Sequence, residues 1–240
     1  MKKLILSAAT LALMAGMGVA DTVRLGTEGA YPPYNFIDDN GEIAGFEREV
    51  GDELCKRAEL DCEWVTNEWD SIIPNLVSGN YDAIIAGMSI TAERDEVIDF
   101  TQNYTPPSAS AYMGASDDID LSTAVIAAQA ATIQAAHVAE SGATLVEFAT
   151  PDETVAAVKN GEVDAVFADE DYVKPIAAES GGELTLVGDL VPLGGGIGMG
   201  LRESDGELRA KFDAAIQTMK DDGTLNALIT QYFGDEAQTF

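Results

Sequence analysis

Histidine, cysteine and basic side chains are all scarce in this chain of 240 residues, which has one His, two Cys and 13 Lys+Arg. So few His and Cys leave little from which to build a zinc site, a Cys/His nucleophile or a Ser-His-Asp triad. Against the 13 basic residues stand 42 Asp+Glu, for a formal charge of −29. Such a surface repels phosphate backbones and anionic membranes, which argues against nucleic acid as a partner and against a basic membrane anchor. The sequence carries no metal-ligand spacing and no cofactor fingerprint, so neither a metal nor a cofactor is expected. No internal repeat is visible, and beyond residue 20 no segment is long and apolar enough to span a bilayer. What is present is ordinary globular composition, 46% hydrophobic and 23% charged, with length for one large domain or two small ones.

Lys2 and Lys3, an apolar run over 4–19 and the small residues Gly18-Val19-Ala20 form a signal-peptide pattern over 1–20, with cleavage expected after Ala20. The run falls short of the ~20 apolar residues of a comfortable span, and Asp21 ends it. Removing two lysines leaves an expected mature charge of 11 − 42 = −31. Export to an oxidising compartment makes Cys55 and Cys62 a structural bridge, clamping a helix end to the start of a strand. The acidic neighbours Glu59, Asp61 and Glu63 argue against a redox-active pair.

The remaining chain alternates strands with helices. Strands are expected over 22–26, 62–66, 81–86, 109–113, 125–128, 144–148, 164–168, 184–187 and 197–201. Helices are expected over 47–59, from 71, then over 91–97, 132–140, 151–160, 172–179, 204–220 and 225–232. Residues 30–39 read as a loop, with Asp39-Asn40-Gly41 as a turn. Thr91 is the expected N-cap of its helix, and Ser204 with Glu207 an expected capping box. Pro74 fits only a first helical turn. The alternation predicts an α/β fold with mostly parallel sheets flanked by helices. Pro- or Gly-rich crossings near 105–108 and 192–196 divide it into two lobes joined by two hinge strands. The first lobe is expected over 21–107 and 195–240, the second over 108–194, with a ligand cleft between them.

Two places carry chemistry. Gly87 ends a buried strand, and Ser89 with the N–H groups of the next helix start forms an anion-binding concavity. Arg94, one turn on, offers a planar fork suited to a carboxylate. The plainer alternative is a capped surface helix with Arg94 in an ordinary ion pair. Asp169 follows a strand of the second lobe, where ligands gather in open α/β sheets, though it can equally cap the helix after it.

The run from Gly26 through Tyr31-Pro32-Pro33-Tyr34-Asn35-Phe36, the Gly45-Phe46 pair and Glu68-Trp69-Asp70-Ser71 resemble the periplasmic polar-amino-acid-binding proteins of ABC transporters. So do Gly87-Met88-Ser89-Ile90-Thr91-Ala92-Glu93-Arg94, Asp99-Phe100-Thr101 and Gln231-Tyr232-Phe233-Gly234. These are solute-binding proteins of family 3, of the lysine/arginine/ornithine/histidine/glutamine-binding type. The resemblance implies a two-lobed periplasmic binding protein (Venus flytrap) fold, a periplasmic location, a monomer and a membrane permease as partner. It implies that Arg94 and Ser89, with Gly87 and Met88 beside them, hold the carboxylate of an amino acid, and that Asp169 accepts from its ammonium. Tyr31 and Trp69 would stack on the ligand's side chain, and Glu28 would meet its far end, which favours a basic ligand. Gln129, Thr132 and Ile133 would complete the site from the second lobe. There Ala131 stands where many members have glycine. His137, inside the following helix, reads as a packing or surface residue. Two rivals remain: a cyclohexadienyl dehydratase-like enzyme, with Glu170 or Glu28 as its acid, and a receptor's periplasmic sensor domain, against which the absence of a later membrane span argues.

Overall fold

The computed structural model describes residues 22–240, so the expected signal peptide lies outside the described residues. The first lobe begins with β1 (Val23–Thr27), followed by the short strands β2 (Ala30–Tyr31), β3 (Asn35–Ile37) and β4 (Ile43–Ala44). It continues through α1 (Phe46–Arg57), β5 (Cys62–Thr66), α2 (Ile72–Val77), β6 (Ala83–Ile84), α3 (Ala92–Asp95) and β7 (Asp99–Phe100). The second lobe holds β8 (Ala109–Gly114), β9 (Val125–Gln129), α4 (Ile133–Ser141), β10 (Thr144–Phe148) and α5 (Pro151–Lys159). It ends with β11 (Ala165–Asp169), α6 (Glu170–Glu179) and β12 (Thr185–Pro192). The chain then returns to the first lobe as β13 (Gly200–Leu201), α7 (Gly206–Asp221) and α8 (Thr224–Phe233).

The two large sheets have orders β5-β1-β6-β13-β7 and β10-β9-β11-β8-β12. In the first, β13 runs antiparallel to β6 and β7, while β1 is parallel to β5 and β6. In the second, β8 runs antiparallel to β11 and β12, while β9 is parallel to β10 and β11. Four strands of each sheet therefore share one direction, and the single reversed strand lies beside a crossing. Covering both faces of such a sheet makes its inner strands mostly apolar. Leu25, Ala83, Ile85, Phe46, Leu54, Phe212 and Ile216 are buried in the first core, and Met113, Ala127, Val166 and Val173 in the second. The crossings pair with each other: Thr105 bridges Ile197 in antiparallel fashion, and Tyr104 N–H donates to the Ile197 carbonyl at 2.8 Å.

Several local expectations are corrected. Residues 30–39 are not a plain loop: they contain β2 and β3, which form a three-stranded antiparallel sheet with β4. Its strands of two or three residues are too short to show a period of two. The turn at its tip is where the sequence places it: Asp38 Oδ1 accepts from the N–H groups of Asn40 and Glu42. The capping box at Ser204 and Glu207 does not form. A short 3₁₀ turn over Glu203–Asp205 intervenes, Asp205 becomes the N-cap, and Ser204 Oγ donates to Asp205 Oδ1. A complete capping box stands instead at Thr150 and Glu153, before α5. Thr91 caps α3 as expected, and Pro74 falls in the first turn of α2. His137 packs against Phe167, ring centroids 5.3 Å apart.

Cys55 in α1 and Cys62 at the start of β5 are disulfide-bonded, across a sequence separation of 7. Closing so short a loop in the unfolded chain contributes about 2.5 kcal/mol on the chain-entropy account. Reduction should lower the melting temperature by roughly 5–10 °C for a protein of this size. Two thiols titratable in the native oxidised protein would contradict the bridge.

Candidate functional site

The two sheets point the carboxyl ends of their parallel strands at each other across the gap between the lobes. Glu28 is the residue after β1, Gly87 and Ser89 follow β6, Gln129 ends β9 and Asp169 ends β11. With Tyr31, Trp69, Ala86, Arg94, Thr132, Ile133 and Gln134 these line one narrow cavity. Strand ends gather there because their side chains have no further sheet to pack against and the adjoining helix starts leave N–H groups free.

On the first-lobe wall, Thr91 Oγ1 accepts from Arg94 N–H at 3.2 Å, which fixes the first turn of α3. Arg94 then lies over the Trp69 ring, its guanidinium carbon 5.4 Å from the centroid. Nη1 donates to the Ser89 carbonyl at 2.9 Å, and Nη2 crosses the gap to the Ala131 carbonyl at 3.3 Å. Trp69 Nε1 donates to that same carbonyl at 3.4 Å. Ala131 has φ 57, a left-handed backbone that suits glycine better, so alanine holds this turn at some cost. The turn aims its carbonyl at the first lobe. Burial lowers Arg94 to about 10, opposed by the charges of Asp169 and Glu93; it stays cationic at neutral pH.

On the second-lobe wall, Asp169 is held from two sides. Tyr31 Oη crosses from the first lobe and donates to Oδ2 at 2.8 Å, and Gln134 Nε2 donates to Oδ1 at 2.9 Å. Asp169 occupies the N-cap position of α6, but its side chain makes no capping bond, so the carboxylate serves the cleft. Burial raises it to about 6, a shift that the Tyr31 bond opposes. Thr132 caps α4 by accepting from Ala135 N–H and itself donates to the Gln129 carbonyl at 2.7 Å.

At the far end, Gln129 Nε2 donates to Glu28 Oε1 at 2.6 Å, a second bond across the gap. Burial raises Glu28 to about 7; Gln129 opposes this, while the charges of Glu68 and Asp152 add to it. One end of the cavity is thus acidic and the other holds a cation.

The sequence-based set is brought together here with one exception. Met88 is fully buried among Ile72, Leu76 and Ile98 in the first-lobe core and does not line the cavity. It follows Gly87 on a chain that alternates faces, so its side chain turns inward while its neighbours face the gap. Tyr31 lines the cavity but also stacks on Tyr172 of the other lobe, centroids 4.5 Å apart. Two lining residues were not anticipated, Ala86 and Gln134. Ala86 gives no chemical signal, whereas Gln134, two residues after the Thr132 cap, points toward whatever lies at the helix start. Glu170, the acid of the catalytic alternative, pairs with Lys174 at 2.8 Å and is not among the cavity residues.

Two α/β lobes, two crossings and a cleft lined by unlike charges define a solute-binding architecture. The chain belongs to the bacterial extracellular solute-binding proteins, family 3, whose sequence model matches residues 23–235. A crystal structure of a periplasmic His/Glu/Gln/Arg/opine family-binding protein from Silicibacter pomeroyi in complex with lysine is similar, with 75% identity and a TM-score of 0.90. The match covers 91% of this chain and 100% of that one. The lysine/arginine/ornithine-binding periplasmic protein of Escherichia coli (strain K12) is 30% identical, over 97% of each chain. The ancestral amino acid-binding protein AncCDT-1, a precursor of cyclohexadienyl dehydratase, is 28% identical with a TM-score of 0.79, over 88% of this chain and 95% of that one. These three carry binding names, which favours binding over dehydration.

Carboxyl carbon shifts followed by NMR should titrate with midpoints near 7 for Glu28 and near 6 for Asp169. Midpoints near 4 for both would mean that the cleft is open to water.

Proposed function

We propose that this protein is the periplasmic substrate-binding component of an amino-acid ABC importer, with a basic L-amino acid as its ligand. The observation that carries the reading is the charge pattern of one cavity: Arg94 on the first lobe, Asp169 on the second and Glu28 at the far end. A zwitterion with a cationic side chain has the complementary pattern. Its carboxylate would meet Arg94, Ser89 and the N–H groups at the start of α4. Its ammonium would meet Asp169. Its side chain would pass Tyr31 and Trp69, with Gly87 allowing close approach, and end at Glu28, with Gln129, Thr132 and Ile133 completing the enclosure. The lysine complex of the 75%-identical protein and the names of the Escherichia coli relative support a ligand of this class.

Because the groups lie on both lobes, the ligand contacts all of them only when the lobes are closed, which gives closure its differential affinity. The boundaries that fit this movement are 21–107 with 195–240 for one lobe and 108–194 for the other, pivoting on the paired crossings. A closed monomer would then be read by a membrane permease. The signal-peptide pattern of residues 1–20 supports delivery to the periplasm.

Calorimetry tests the assignment. Lysine or arginine should bind, and Arg94→Ala should weaken binding about a hundredfold or more, because it leaves the ligand's carboxylate buried without its partner. Retained affinity in a folded variant would remove Arg94 from the site. Glu28→Gln should weaken lysine about tenfold and leave glutamine little changed; an unaltered lysine/glutamine preference would exclude Glu28 as the specificity residue.

The raised carboxyls give a further expectation with a definite sign. A cationic partner favours the ionised forms of Glu28 and Asp169, so binding is strongest above about 7 and weakens as falling pH protonates first Glu28 and then Asp169. Lysine affinity should therefore rise between pH 5 and pH 8, by up to about tenfold per pH unit for each group still protonated. A flat profile over that range would contradict the pairing.

A further inference from the structure

Beneath the first-lobe wall lies a carboxylate that reaches no ligand. Glu47, the second residue of α1, is fully buried, as are Asn35 and Tyr104 around it. Its Oε1 accepts from Gly87 N–H at 2.6 Å and from the Tyr104 hydroxyl, and its Oε2 accepts from Asn35 Nδ2 at 2.6 Å. All three donors are neutral. Asn35 is oriented in turn, because its Oδ1 accepts from Gly29 N–H at 2.7 Å. One buried carboxylate thus ties together the turn beside Glu28, the backbone at Gly87 and the first crossing at Tyr104.

The two backbone segments it holds need such a restraint. Gly29 has φ +73 and Gly87 has φ +63. Both sit in the left-handed region, where glycine alone is free of strain and where it also has much freedom to lose. Each lies at or beside a cavity residue: Gly87 lines the cavity, and Gly29 follows Glu28 directly. Each N–H donates to a buried side-chain oxygen, Gly87 to Glu47 Oε1 and Gly29 to Asn35 Oδ1, and that bond selects one conformation.

We propose that Glu47 is a positioning residue for the binding site, fixing Gly87 directly and the Glu28 turn through Asn35. The proposal rests on the amino-acid-binding reading for its consequence, but not for its geometry. Its chemistry is directional: every bond in the chain from Gly29 through Asn35 to Glu47 runs from donor to acceptor. A carboxylate can end that chain and an amide cannot. In Glu47→Gln the new amide NH₂ faces a donor, and flipping Asn35 only moves the conflict to Gly29 N–H. Asn35→Asp in the same molecule removes it, since one carboxylate oxygen can take Gly29 N–H and the other the new amide. The double variant also keeps the net charge of the native pair.

The test measures amide hydrogen exchange at Gly29 and Gly87, and lysine affinity by calorimetry, in the unaltered protein, in E47Q and in E47Q with N35D. E47Q should exchange Gly29, Gly87 or both about tenfold faster, according to which donor the new NH₂ faces, and bind lysine about tenfold more weakly, as loss of a buried hydrogen bond implies. The double variant should recover both to within about threefold. A folded E47Q with native exchange and affinity would overturn the proposal, as would a folded double variant no better than E47Q. If E47Q does not fold, a folded double variant with native exchange upholds the proposal, and a double variant that also fails to fold overturns it. If the unaltered protein binds no lysine, the functional reading fails, while the exchange rates still decide the role of Glu47.

Discussion

Three formal charges, on Glu28, Arg94 and Asp169, are drawn out of water together where the lobes meet, and each is shifted toward its neutral form by that burial. A buried charge is costly unless something answers it. Here the answer comes across the gap: Gln129 reaches Glu28, Tyr31 reaches Asp169, and the Ala131 carbonyl receives Arg94. The lobes are therefore coupled through the same groups that a zwitterion would engage. Bringing the walls together is favourable only to the extent that these charges find partners, which a ligand of matching pattern would supply under the proposed function.

The rest of the fold holds those walls in place. The facing strand ends set the direction of the side chains, and the two crossings are paired with each other at Thr105 and Ile197. The disulfide anchors α1 to β5, and α1 carries Glu47 against the back of the cavity wall. A second contact, Tyr34 donating to Asp171 at 2.9 Å, joins the lobes beside the first. Tyr31 in β2 and Tyr34 in the turn after it thus form two hydrogen-bonded rungs from the first lobe to the start of α6.

Most of the scaffold was legible in the sequence, because apolar runs and helix caps are local signals. The strands at 62–66 and 144–148 and the Thr91 cap follow from residues near each other in the chain. The sheet over residues 30–44 was not legible, since its strands are too short for alternation to register. The apparent capping box at Ser204 and Glu207 misled for a related reason: the motif was present, but a 3₁₀ turn shifted the helix start by one residue. Met88 was placed at the site by its neighbours in the motif, and only the facing of successive side chains shows that it belongs to the core.

By itself the sequence determined the α/β alternation, the two crossings, the acidic surface, the cysteine pair and the residue types available to a cleft, because each is written in composition or in local pattern. Tertiary structure alone decided which of those residues meet. Asp169 lies 138 positions from Tyr31 and Gln129 lies 101 from Glu28, separations over which no periodicity speaks. It also decided that Glu47 turns inward to bind three distant segments, because a charged residue in an otherwise ordinary helix start reads as solvent-facing until the packing around it is known.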